Sequence, residues 1–222
     1  MTPAAIICDF DGVIADSELP ANRALAASLS ALGLPTTLED CLRDYYGHNW
    51  QETERRIEAR LGGPLPLSFR ADHRARARAA FADGFAPVPG AADFLMRAQA
   101  LPLAIASSSN REYIGWALGS FGLAHHFGAH VYSADGMARG KPHPDIYFAA
   151  AAGLGVEPAR CIAIEDSPTG AMAAVAAGMH VIGLVAAGHI TDRAAHAQSL
   201  RAVGVQPRRI VLLDDEAMAA SL

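Results

Sequence analysis

The stretch Ile6-Ile7-Cys8-Asp9-Phe10-Asp11-Gly12-Val13, followed shortly by Asp16-Ser17, decides how this chain is read. A short apolar run ends in two aspartates at i and i+2, which in an extended strand point to the same face. Two carboxylates at the end of a buried strand are hard to desolvate unless positive charge sits between them. A divalent cation is the expected occupant, and a phosphoryl group its expected substrate. A helix cap or a solvated turn also yields Asp-x-Asp, but the apolar lead-in and the turn at Gly12 fit neither well.

Outward from that stretch, the next signal is Lys141, the chain's one lysine; every other fixed positive charge is arginine. It lies in Gly140-Lys141-Pro142-His143-Pro144-Asp145. An ammonium is a compact point charge with three donors, suited to bridging a carboxylate and a phosphoryl oxygen where a planar guanidinium is not.

The sequence has 222 residues, 51% of them hydrophobic, enough for one sizeable core and a smaller second domain. Its net charge of -5 gives no nucleic-acid footprint. Cys8, Cys41 and Cys161 are not spaced as a metal site or a disulfide framework, so a reduced, cytoplasmic setting is expected. The N-terminus runs straight into the first strand without a signal-peptide pattern, and no apolar run is long enough to span a membrane.

After residue 87 short apolar strands alternate with helices. Leu103-Ala104-Ile105-Ala106 leads into Ser107-Ser108-Ser109-Asn110 and a helix to about Phe121. His130-Val131-Tyr132-Ser133 precedes the Lys141 loop, and residues 144–154 read as a helix stopped by Gly155. Cys161-Ile162-Ala163-Ile164 ends in Glu165-Asp166-Ser167; a helix over 169–177, closed by Gly178, precedes the strand Val181-Ile182-Gly183-Leu184. A helix near 192–202 and the run Ile210-Val211-Leu212-Leu213 follow. The pattern predicts an α/β fold with a doubly wound parallel sheet. Residues 18–87 hold no strand pattern: Leu25, Leu29 and Leu32 share one helical face, Trp50, Ile57 and Leu61 another, and 68–83 a third, Arg-rich helix. They read as an all-helical insert, leaving 1–17 and 88–222 as the α/β core.

Ligands of parallel sheets gather beyond the carboxyl ends of the strands. Asp9/Asp11, Ser107, the Lys141 loop and Glu165-Asp166 all fall there. In that order the motifs resemble the haloacid dehalogenase-like superfamily, in its phosphatase branch with a small helical cap on a Rossmann-like core. The resemblance implies Asp9 as nucleophile, Asp11 as general acid/base, Ser107 as phosphoryl ligand and Lys141 as its counter-charge. It implies Mg²⁺ held by Asp9, Asp166 and Glu165, with Asp11 contributing its backbone carbonyl. Ser108 and Asn110 join Ser107 as candidate substrate contacts, although Asn110 also fits a helix N-cap.

The same resemblance makes the insert a cap that selects the leaving group, with Gly47, His48 and Asn49 as candidate substrate-binding residues. Trp50 reads better as packing beside Ile57, and Arg70, Arg74, Arg76 and Arg78 as a solvated helix face. Asp11 and Asp166 argue against a dehalogenase, and the absence of a cap lysine against a phosphonoacetaldehyde hydrolase. A β-phosphoglucomutase-type mutase stays open, though Trp50 and Ala21 stand where its cap arginine and a histidine are expected. An inactive binding module is a further alternative. The expectation is a Mg²⁺-dependent phosphomonoesterase for a small sugar or organic-acid phosphate, a monomer or weak homodimer without nucleic-acid or membrane partners.

Overall fold

The computed structural model describes residues 2–46, 48, 50–82, 85–206 and 210–211. Along the chain the elements are β1 (Ala5–Cys8), α1 (Glu18–Ala31), α2 (Leu38–Asp44), α3 (Trp50–Leu61), α4 (Phe69–Ala82), α5 (Ala91–Ala98), β2 (Leu103–Ser107) and α6 (Arg111–Phe121). They continue as β3 (Val131–Ser133), α7 (Asp145–Leu154), β4 (Cys161–Glu165), α8 (Pro168–Ala176), β5 (His180–Leu184), α9 (Arg193–Ala202) and β6 (Ile210–Val211). They fall into two compact units, residues 1–16 with 87–222, and residues 17–86. The second unit thus starts and ends one residue before the 18–87 insert read from the sequence.

The first unit is α/β. Its sheet has the order β3-β2-β1-β4-β5-β6 with every pairing parallel. The strands are near-continuous apolar runs because both faces are covered. Ala5, Ile7, Ala104, Ala106, Ala163 and Val181 meet Ile146, Tyr147 and Ala150 of α7 together with residues of α8 and α9. The alternate positions Ile6, Cys8, Ile105, Ile162, Ile164 and Ile182 are equally buried on the opposite face. The chain turns back on its strand order at β1, which lies between β2 and β4. Such a switch point leaves a crevice beyond the strand ends, where the polar clusters lie.

The second unit is helical. Leu25, Leu29, Cys41, Tyr45, Ile57 and Phe69 form its core, with Trp50 packed against them. The Trp50 ring stacks on His73 at 5.0 Å and 8°, in keeping with a packing role. Arg70 pairs with Glu54, and Arg74, Arg76 and Arg78 are exposed, the solvated face that the spacing suggests. α2 carries no apolar stripe, for it buries Cys41 alone. A capping box starts it, with Thr37 Oγ1 accepting the Asp40 N–H and Asp40 Oδ2 accepting the Thr37 N–H. No helix among the described residues is long and apolar enough to cross a membrane.

Candidate active site

The site is built at the ends of β1 and β4. β1 stops at Cys8, and the Asp9 N–H donates to Ile164 O of the neighbouring strand. The next residues leave the sheet in a tight turn, with the Ile14 and Ala15 N–H groups both donating to Phe10 O. This corrects the expectation that Asp9 and Asp11 share one face of a strand. Asp11 lies in the turn, and the two carboxylates meet different partners.

Asp9 meets Lys141. The ammonium of Lys141, in the loop after β3, donates to Asp9 Oδ1 at 2.9 Å and to Glu165 Oε1 at 2.6 Å. Burial by itself would lower the lysine's pKa, but Asp9 and Glu165 together outweigh it and hold the group charged. Glu165 is fully buried, and both its oxygens are engaged: Tyr147 OH donates to Oε1 at 2.5 Å and Ser167 Oγ to Oε2 at 3.2 Å. Burial first, and the Asp9 charge second, push the Glu165 carboxyl up to about 7 despite Lys141. Lys141 also lies 5.1 Å from the Tyr147 ring centre, a cation–π contact.

Asp166 follows β4 and is buried against Gly12. A Cβ on Gly12 would lie 1.8 Å from Asp166 Oδ2, so only glycine leaves that oxygen its place, and the turn's φ of +78° suits glycine too. His189 Nε2 lies 3.8 Å from the same oxygen, and His196 Nε2 lies 2.5 Å from Asp166 O. Burial, then His196, lower the His189 pKa to about 4.

Asp9, Glu165 and Asp166 offer carboxylate oxygens within 4.8 Å of one another. Three buried carboxylates outnumber the one ammonium among them, and hard oxygen donors suit a hard divalent cation. The donor set therefore fits such an ion, and the surplus negative charge is what it would neutralise. Asp11's carboxylate is not in this group. It accepts from Ser109 Oγ at 2.6 Å, Ser107 Oγ at 3.4 Å and Tyr113 OH at 3.3 Å.

The remaining sequence candidates are placed as follows. Ser107 is buried at the end of β2, and its Oγ also accepts the Ser109 N–H at 3.0 Å. Ser108 is exposed beside it. Asn110 is the N-cap of α6, its Oδ1 accepting the Tyr113 N–H, the capping role that the sequence also allows. Asp16 holds the Gly188 N–H at 3.1 Å. His48 is partly buried in the helical unit, and Gly47 and Asn49 lie outside the described residues. Sequence reasoning missed Ser109, Tyr113, Tyr147, His189 and His196. Of these, Ser109 lies in the polar run that follows β2.

The sequence profile of the haloacid dehalogenase-like hydrolases matches residues 3–178. Hexitol phosphatase B of Escherichia coli K12 is 33% identical over 182 residues, covering 80% of this chain and 82% of that protein. The fructose-1-phosphate phosphatase YqaB of Escherichia coli K12 is 28% identical over 179 residues, covering 81% and 95%. Among solved structures, the haloacid dehalogenase-like protein ATU0790 of Agrobacterium tumefaciens superposes with a TM-score of 0.82 at 30% identity, over 98% of this chain and 97% of that one.

Proposed function

The chain belongs to the haloacid dehalogenase-like hydrolases, and from that premise we propose that it is a Mg²⁺-dependent phosphomonoesterase working through an aspartyl-phosphate on Asp9. The observation that carries this reading is the convergence of Asp9, Lys141, Glu165 and Asp166 at the ends of β1 and β4. The substrate class, a small sugar or organic-acid phosphate, draws support from the names of the two phosphatases above.

Asp9, Asp166 and Glu165, with the Asp11 backbone carbonyl, are assigned to hold Mg²⁺. Bound there, the ion supplies positive charge that lessens the repulsion between the Asp9 carboxylate and a phosphate dianion. Lys141 adds positive charge of its own and holds Asp9 Oδ1 in place. In the first half-reaction an Asp9 oxygen bonds to phosphorus, the ester P–O bond breaks, and the departing alkoxide takes the proton of the Asp11 carboxylic acid. In the second, the Asp11 carboxylate takes a proton from water. The water oxygen bonds to phosphorus, and the bond from phosphorus to Asp9 breaks. Asp9 returns as carboxylate, Asp11 as acid, and phosphate leaves. Ser107 is assigned to hold a phosphoryl oxygen, and the helical unit to govern which ester is accepted.

The test is inorganic phosphate release from a panel of sugar and organic-acid phosphates, with and without Mg²⁺. Release from at least one ester that requires the ion supports the reading. A hexose 1-phosphate that isomerises with a bisphosphate primer and frees no phosphate would instead identify a mutase.

A further inference from the structure

Asp11 is surrounded by hydroxyl groups. Ser109 Oγ donates to Oδ2 at 2.6 Å, and Tyr113 OH donates to Oδ1 at 3.3 Å, so each carboxylate oxygen has a hydroxyl of its own. Both donors stand on a fixed frame. The Ser109 backbone is held from two sides, its N–H donating to Ser107 Oγ at 3.0 Å and its carbonyl accepting from Ser133 Oγ at 2.7 Å. The Tyr113 N–H is tied to the Asn110 cap at 2.9 Å, and its ring stands edge-on to the buried Phe10 at 5.7 Å and 84°. Ser109 and Tyr113 thus bracket the start of α6 and bring their hydroxyls to a residue about a hundred positions earlier in the chain.

The chemistry asked of Asp11 explains why hydroxyls suit this place. The group alternates between carboxylic acid and carboxylate while staying aimed at one point. A hydroxyl rotates, donating to the carboxylate and, in the acid, to the oxygen that carries no proton, so the side chain stays held in both states while the protonated oxygen is left to face the leaving group. An ammonium or an amide N–H can only donate and would favour one state over the other.

We propose that Ser109 and Tyr113 are positioning residues for Asp11, clamping its two oxygens so that its proton is delivered to the leaving group. The inference rests on the reading of Asp11 as general acid/base and deepens it with two residues outside the sequence motifs. It makes a prediction that a merely structural role does not. A poor leaving group needs the proton in the transition state, whereas a good one departs without it. Phenyl phosphate and p-nitrophenyl phosphate are close in size and differ in leaving-group basicity. Their kcat/KM values report the step that phosphorylates Asp9.

The experiment measures kcat/KM for both esters in Tyr113→Phe, Ser109→Ala, Ser109→Thr and Asp11→Asn, with melting curves to establish folding. Tyr113→Phe keeps the ring against Phe10 and removes the hydroxyl alone. The expected result is a loss of about tenfold on phenyl phosphate in Tyr113→Phe and in Ser109→Ala, with p-nitrophenyl phosphate held within about threefold. Ser109→Thr restores the wild-type ratio, and Asp11→Asn shows the same bias at about a hundredfold or more. Equal losses on the two esters in Tyr113→Phe and Ser109→Ala, beside a biased Asp11→Asn, overturn the positioning role and leave the acid role standing. An unbiased Asp11→Asn overturns the acid role and this inference with it. The two variants probe opposite oxygens, so misfolding of one leaves the other decisive.

Discussion

Lys141 donates to Asp9 Oδ1 across 2.9 Å, and both side chains are almost wholly withdrawn from water. The same ammonium serves Glu165, so one positive charge separates two buried carboxylates. Lys141→Met removes that charge and leaves them facing each other. We expect a destabilisation of about 3 kcal/mol and a loss of phosphate release of about a hundredfold or more. Lys141→Arg does not restore activity, because a planar fork cannot replace a point charge in that space. Urea unfolding and phosphate release on the two variants check both statements.

Gly12 sets the position of Asp166. Gly12→Ala drives a methyl group into Asp166 Oδ2 and places an L side chain at φ +78°. Mg²⁺ affinity, read by titration calorimetry, falls about tenfold to a hundredfold, and stability falls by about 1 kcal/mol. Unchanged affinity would show that Asp166 does not bind the ion.

A cation bound among Asp9, Glu165 and Asp166 is expected to release a proton. Burial and the Asp9 charge push the Glu165 carboxyl above the ordinary carboxylate range against the pull of Lys141, so it takes up a proton more readily than an exposed glutamate does. A bound cation favours the carboxylate, lowers that pKa and expels the proton. Calorimetry at pH 7 in two buffers of different ionisation enthalpy should give binding heats that differ by the buffer's share, and Glu165→Gln should remove the difference. Chelation with EDTA is expected to abolish phosphate release, and added Mg²⁺ to restore it.

Much of this molecule is legible in its sequence, and the rest is not for identifiable reasons. Both faces of the parallel sheet are covered, so strands such as Cys161–Glu165 stand out as unbroken apolar runs. Asp9, Lys141, Glu165 and Asp166 stand at strand ends and in a loop, where charged residues are conspicuous. α2 is short and buries Cys41 alone, and α5 buries Ala91, Phe94, Leu95 and Ala98 on one face but is only eight residues long. Tyr147 is silent because it sits in an alanine-rich helix, and its hydroxyl finds Glu165 eighteen residues on, a distance no local period reveals. The strand reading of Asp9 and Asp11 failed because β1 ends at Cys8, and alternation says nothing about a turn.

The helical unit carries its own pH response. His73 stacks on Trp50 and contacts Ser28 Oγ at 3.2 Å. Burial, aided by the Arg76 charge, lowers its pKa from 6.5 to about 4. Between those values the unfolded chain binds more protons than the folded one. The contribution is therefore fully present above about 6.5 and is lost as pH falls toward about 4, by about 3 kcal/mol in total. Unfolding free energies between pH 7 and pH 4 should show a shallower decline in His73→Gln than in wild type.

Covalent capture of phosphorus by Asp9 is the step on which the proposed activity turns. The direct measurement is acid quenching during turnover of a phosphate ester with Mg²⁺, followed by peptide mass analysis. A phosphoryl group is expected on Asp9 in the wild-type protein and none in Asp9→Asn, which keeps its fold and releases no phosphate. An Asp9→Asn variant that turns over at the wild-type rate would contradict it.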